Sequence, residues 1–292
     1  MAVSISTKDS VFSYRLKRAL QEVVRAPLSA QLGLLIIAAY IFLAIFAPWV
    51  APYGESEIVG KKFLPWDDQF VLGTDHLGRD MLTRIIFGAR NTVGIALLTT
   101  ILAFVLGGVL GILAAVLGGW IDQLMSRICD VFMAIPALIF AMLLLSIFGT
   151  SIINLILIMS VIDATRIFRI TRAVSMNVAV MDFIEAAKLR GEKLPWITIQ
   201  EILPNITSPL AAEFGLRFCF VFLTISALSF LGIGIQPPVA DWGSMVRQTA
   251  VLITFDDYTP LIPAAAIAIL TIAVNFVIDW FLHKTSGLKD DL

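Results

Sequence analysis

Charge is what this chain has least of. Only 15% of its 292 residues are Asp, Glu, Lys or Arg, against about a quarter in an ordinary soluble domain. That shortage denies the fold a solvated shell. Hydrophobic residues make up 59% of the chain and the mean hydropathy is +0.91, so the chain reads as an integral membrane protein. A net charge of −1 leaves no basic footprint for nucleic acid. Histidines number two, His76 in a loop and His283 near the end, too few for a zinc site or a Ser-His-Asp arrangement. The two cysteines, Cys129 and Cys219, lie in or beside apolar runs and read as small buried hydrophobes. Nothing in their spacing implies a disulfide or a metal. No Gly-x-x-x-x-Gly-Lys-Ser/Thr loop occurs, so any nucleotide hydrolysis belongs to another chain.

Long apolar runs are what is there. A spanning helix takes about 20 such residues, and the runs predict six spans: 32–50, 91–121, 125–148, 151–172, 208–234 and 259–282. Flanking basic residues set the orientation. Lys8, Arg15, Lys17, Arg18 and Arg25 precede the first span, while Arg166, Arg169, Arg172, Lys188, Arg190 and Lys193 follow or end the fourth. Even parity puts both groups inside. The loop 54–90 then lies outside, with its lysines and arginines roughly balanced by acids. Residues 12–25 place Phe12, Leu16, Leu20 and Val23 on one face, with Arg15, Arg18 and Glu22 elsewhere, before Pro27. This predicts an interfacial helix on the inner side rather than a cleavable leader.

One polar segment interrupts the apolar pattern: Glu185-Ala186-Ala187-Lys188-Leu189-Arg190-Gly191, nine residues, then Glu201-Ile202-Leu203-Pro204. It predicts helix, glycine turn, helix. Glu and paired Ala favour the first helix, Gly191 supplies a left-handed stop, and Pro195 suits the first turn of the second. Trp196, Ile199 and Leu203 would share a side before Pro204 ends that helix.

Outside the membrane, Gly73-Thr74-Asp75-His76-Leu77-Gly78-Arg79-Asp80 precedes the second span. Two readings stay open here. One is a surface helix capped by Thr74 or Asp75, with weak Asp75–Arg79 and Asp80–Arg84 pairs; the other is a face that receives an external binding protein. After the fifth span, Gly232, Gly234, Gln236, Pro237 and Pro238 make a sharp membrane exit, and Trp242 suits headgroup depth. No third glycine follows and no strand–helix alternation exists, which excludes a dinucleotide loop. Asp130, Asp163, Glu213 and Arg217 lie in or near spans, where charges line a pathway or pair off. Asp130 with Arg127 and Glu213 with Arg217 have the spacing for pairing.

The segment 185–204 resembles the Glu-Ala-Ala signature of ATP-binding-cassette importer permeases. Glu185, Ala186, Ala187, Gly191, Leu203 and Pro204 match it, whereas Glu201 stands where an apolar residue is usual, with Ile202 one place later. Residues 73–80 look like the Gly-Thr-Asp-x-x-Gly-Arg-Asp signature of the second (C-type) permease subunit of dipeptide, oligopeptide and nickel importers, and the 229–243 run is similar to the same subunit. The resemblance covers roughly 12–282. It implies an all-α integral membrane fold of type I importer permeases: six transmembrane helices with a cytoplasmic coupling helix. The segmentation it implies is an N-terminal cytoplasmic helix 1–27, a first transmembrane helix 28–53, an external loop and helix 54–90, and a core permease domain 91–283. The coupling segment is 182–205, and 284–292 form a cytoplasmic tail.

The implied setting is a bacterial inner membrane with both termini cytoplasmic. The implied partners are a second homologous permease, two cytoplasmic ATP-binding subunits that hold ATP and Mg, an extracytoplasmic substrate-binding protein and the lipid bilayer. The resemblance implies no cofactor or metal on this chain itself. Di- or oligopeptides lead as cargo, with nickel chelates, opines and oligosaccharides also open. Two other classes compete. A self-sufficient transporter or channel would call for inverted repeats, broken helices or a ring of charges, and an intramembrane enzyme for a nucleophile with its base.

Overall fold

The computed structural model describes residues 22–286, and every regular element among them is helical. The interfacial helix expected over 12–25 lies almost wholly outside the described residues; 22–24 are helical. Most of the tail lies outside them too.

Helix α1, Leu28–Val50, follows Pro27 and contains no charge. Helix α2, Met81–Leu117, runs for 37 residues through a π turn at Ala89–Val93, and stops where Gly118 and Gly119 take positive φ. Next come α3, Gly119–Ala134, and α4, Ala137–Phe148. Helix α5 is Ile152–Ala179, with the Ser151 hydroxyl accepting from the Asn154 N–H at 3.2 Å as its cap. Helix α6, Asp182–Leu189, turns into α7, Leu194–Phe230, which carries a second π turn at Ile197–Ile202. Short helix α8, Trp242–Thr249, continues as a 3₁₀ turn, and α9, Leu261–Ser286, completes the described chain.

Four of these helices, α1, α2, α7 and α9, are long and apolar enough to cross a membrane. A fifth crossing exists if α3 and α4 form one span, but the two are bent by 91°. The uninterrupted helix expected over 125–148 is therefore broken. Pro136 is the cause: its ring pushes the preceding residue out of the helical region, and Ile135 is extended at φ −90°, ψ 130°. Helix α5 is long enough at 28 residues. Asp163, Arg166, Arg169 and Arg172 set it apart from the purely apolar spans. Pro204 also behaves differently from expectation, because α7 runs straight through it. The π turn ends just before this residue, so the missing proline N–H falls where the hydrogen-bond register is already changing.

Close packing of α2 on α5 rests on two glycines one helical turn apart. A Cβ on Gly107 would strike the Ala164 carbonyl, and one on Gly111 would lie 2.8 Å from the Phe168 carbonyl. Small residues at this spacing let helix backbones touch in lipid. The Ser160 hydroxyl adds a 3.1 Å bond to the Thr99 carbonyl. These contacts climb both helices in the same direction, so α2 and α5 are parallel. A buried core of Met81, Leu145, Leu155, Phe222, Ile225 and Trp242 joins the bundle. Large apolar side chains such as Leu35, Trp49 and Val109 face outward, as a lipid-exposed surface requires.

Candidate functional site

Two polar structures stand at opposite ends of α2. At its C-terminal end, α6 and the start of α7 form a helical hairpin. Ile184, Ala187, Ile197, Ile202 and Ile206 are buried against Ile112 and Val178, which seats the hairpin on the ends of α2 and α5. Gly191 joins the arms at φ +78°, with open space around it. Its N–H donates to the Lys188 carbonyl at 3.0 Å, and the Glu192 N–H donates to the Ala187 carbonyl at 3.2 Å, a left-handed helix stop. Glu185 and Ala186 point outward, as do Trp196, Ile199, Leu203 and Pro204. Leu189 is 83% exposed. The two adjacent alanines thus face opposite ways. Glu201 pairs with Arg190 across the hairpin at 3.6 Å, while Ile202 takes the buried position beside it. Arg190 also lies 6.0 Å from the Trp196 ring.

At the other end, residues 73–80 fold into a buried loop, not the capped surface helix that was one expectation. Gly73 and Gly78 have φ of +70° and +86°, and a Cβ on either would strike the Leu64 or Gly60 carbonyl. The Thr74 hydroxyl accepts from the Leu64 N–H at 2.8 Å and donates to the Lys61 carbonyl at 2.6 Å. Asp75 accepts from the backbone N–H groups of Leu77 and Arg79 at 2.8 and 3.0 Å and from Arg79 Nε at 2.7 Å. Arg84 Nε stands 3.4 Å from the same carboxylate. The expected Asp80–Arg84 pair does not form, because Asp80 is the cap of α2, accepting from the Thr83 N–H at 2.7 Å. Burial pushes the Asp75 carboxyl up, but the Arg79 guanidinium and the two backbone N–H groups outweigh it and hold it below its ordinary value. His76, beside this cluster, is pushed below its ordinary value by burial and by the nearby Arg79, Arg84 and Lys62, against the pull of Asp75.

The run 232–242 locks onto the first turns of α2, beside this loop. Gly232 turns at φ +87°, and Gln236 Nε2 donates to the Gly232 and Gly234 carbonyls at 3.0 and 2.9 Å. The Pro237–Pro238 peptide is cis, and the Pro238 carbonyl accepts from Arg84 Nη1 at 3.4 Å. Asp241 caps α8 and accepts from the Thr92 hydroxyl at 3.0 Å. Glu55 binds the Ala240 N–H at 2.6 Å and Asn91 Nδ2 at 2.8 Å. Trp242 packs inside the protein instead of facing outward. It is 1% exposed, with its indole N–H donating to the Ile85 carbonyl at 3.0 Å and Tyr40 and Phe222 meeting its ring edge-on. Sequence reading missed Glu55, Asn91 and Thr92 as partners, since no spacing rule links residues 149 or 185 positions apart.

The charges within the bundle are paired, partly as expected. Glu213 binds Arg217, and Asp163 meets Arg166 at 3.4 Å. Asp130 meets Arg169 of α5 at 3.4 Å instead of its helical neighbour Arg127. Asp122 and Arg172 form a two-pronged pair between α3 and α5 that the sequence reading did not single out.

Comparison with known proteins bears on both structures. The profile of a family described as a binding-protein-dependent transport system inner membrane component matches residues 107–284, the stretch holding the hairpin. A second profile, the N-terminal transmembrane domain of oligopeptide transport permease C, matches 27–69. The di/tripeptide transport system permease of Pseudomonas aeruginosa is 33% identical over 267 residues, 89% of this chain and 86% of its own length. The dipeptide transport system permease of Alkalihalophilus pseudofirmus is 33% identical over 90% of this chain and 84% of its own. The peptide transport system permease SapC of Haemophilus influenzae is 34% identical over 85% and 86%. With an all-helical bundle, an apolar exterior and a match over most of its length, this chain belongs to the family of binding-protein-dependent transport system inner membrane components.

Proposed function

We propose that the chain is one of two permease subunits in an ATP-driven importer of short peptides, and that it contributes half of the translocation pathway. Relatives matched along nearly their whole length are named for peptide transport, which favours peptides over nickel chelates, opines or sugars as cargo. Six crossings fit best. Helices α2 and α5 are parallel, so the chain between them must return across the same thickness, and α3 with α4 supplies that return despite the bend. Helix α5 makes a crossing because its charges are met by Asp122, Asp130 and Asp163. Both termini and the hairpin then face the cytoplasm.

The observation that carries the reading is the hairpin's outward face. Glu185, Ala186, Leu189 and Trp196 project from a helix-turn-helix whose other face is sealed on the bundle. An exposed mixture of apolar and charged side chains outside the spans suits a groove on a protein partner. The partners in this reading are two cytoplasmic ATPase subunits holding ATP and Mg, a second permease, and an external binding protein that meets the outer surface which the buried 73–80 and 232–242 loops hold in place. Closure of the ATPases would push the hairpin and bias the bundle between two arrangements.

A single cysteine at Leu189, in the complete importer, tests the assignment. Crosslinking to an ATPase subunit that changes in yield with ATP is expected. Capture of no ATPase chain, or peptide uptake by vesicles holding this chain alone, overturns it.

A further inference from the structure

Between α3 and α5, at the hairpin end of the bundle, lies a cleft of about 410 Å³ lined almost entirely by polar side chains. That size falls within the roughly 300–1,000 Å³ of small-ligand sites. Asp122 and Arg172 are sheltered and joined by two hydrogen bonds, which marks them as the tie between the helices. The remaining charges behave differently. Asp130 and Arg169 stand 3.4 Å apart with side chains 48% and 58% exposed, a loose pair with lone pairs and N–H groups to spare. Arg127 lines the same cleft, is exposed, and carries no ion pair among the described residues. The cleft therefore offers one available carboxylate and two available guanidinium groups.

We propose that this cleft is a transient site for the charged ends of a short peptide on its way inward. The peptide's terminal carboxylate would bind Arg127 and Arg169, whose planar forks suit a carboxylate. Its terminal ammonium would replace Arg169 as the partner of Asp130. A zwitterion answers both signs at once and leaves the structural Asp122–Arg172 tie untouched. Because Asp130 and Arg169 are half in water, exchanging one partner for another costs little desolvation, as a site that must also release its ligand requires. The inference rests on the reading of the chain as a peptide importer subunit whose hairpin end faces the cytoplasm.

The test uses the complete importer in vesicles, supplied with Ala-Ala carrying free ends or its C-amidated or N-acetylated form, each at concentrations that saturate the binding protein. The binding protein is the same throughout, so the ratio of uptake rates between peptides isolates the permease. Arg127→Gln should slow uptake of the free-ended peptide about two- to fivefold, the worth of one solvent-exposed ion pair, and leave the C-amidated peptide unchanged. Asp130→Asn should do the same for free-ended against N-acetylated peptide, and Arg127→Lys should retain most of the wild-type ratio. Wild-type uptake with ratios unmoved by both variants overturns the cleft assignment alone. No ATP-dependent uptake of any peptide by the wild-type complex overturns the importer reading beneath it.

Discussion

Trp242 occupies the space that a side chain at Gly88 would need. A Cβ there would sit 2.5 Å from both Cδ1 and Nε1 of the indole, and the same indole N–H is bonded one turn earlier to the Ile85 carbonyl. Gly88→Ala should therefore displace the ring and lower stability by about 1–3 kcal/mol, seen as a fall in the unfolding temperature of the purified complex. Gly94→Ala, where nothing lies within 4 Å of the added carbon, should be neutral or stabilising.

Asp75 is a buried carboxylate facing two buried guanidinium groups. Asp75→Asn should cost about 3–5 kcal/mol, because Arg79 and Arg84 would lose their counter-charge. Exposed Asp68→Asn should change little. Thermal unfolding of the two variants in detergent makes the comparison.

The same loop sets a pH dependence. His76 is held below its ordinary 6.5, so the unfolded chain takes up a proton more readily than the folded one. Its contribution is then complete above about pH 6.5 and is lost as pH falls through that value. Asp75, held below its ordinary 3.8, keeps its charge throughout this range and begins to lose its contribution only on further acidification. Wild-type unfolding temperature should fall between pH 7.5 and 5, and His76→Gln should flatten that slope.

Gly191 has room for a side chain but not the backbone angle for most. At φ +78° with open surroundings, Asn should be tolerated and Val should not. Gly191→Asn should retain peptide-stimulated ATP hydrolysis by the complex. Gly191→Val should lose most of it while the protein still inserts.

The neighbouring alanines separate seat from dock. Ala187→Leu overfills a buried position and should cost about 1–3 kcal/mol. Ala186→Leu projects outward, so it should leave the unfolding temperature unchanged and weaken ATPase co-purification.

Helical periodicity and local turn chemistry made much of this legible from sequence. The Gly191 stop, the Pro195 start and most of the long apolar helices follow from residues within one or two turns of each other. What escaped was set by contacts distant in the chain. Asp80 and Arg84 have ideal helical spacing, yet Asp80 serves the backbone as a cap and Arg84 turns to Asp75. Asp130 prefers Arg169 on another helix to Arg127 on its own. Trp242 looked like an interfacial anchor because its burial depends on Gly88, Tyr40 and Phe222, none near it in sequence. The 91° bend was readable in principle from Pro136, but the apolar residues on both sides of it, from Val131 to Leu145, masked it.

Continuity of α7 has a mechanical corollary. Its 37 residues make a rod about 55 Å long, rooted in the hairpin at one end and running to the Gly232 turn at the other. Pivoted at one end, such a rod tilted by about ten degrees sweeps its far tip by about 10 Å. In the proposed importer, a small tilt set at the hairpin would therefore reach the Gly232 turn as a displacement of that size.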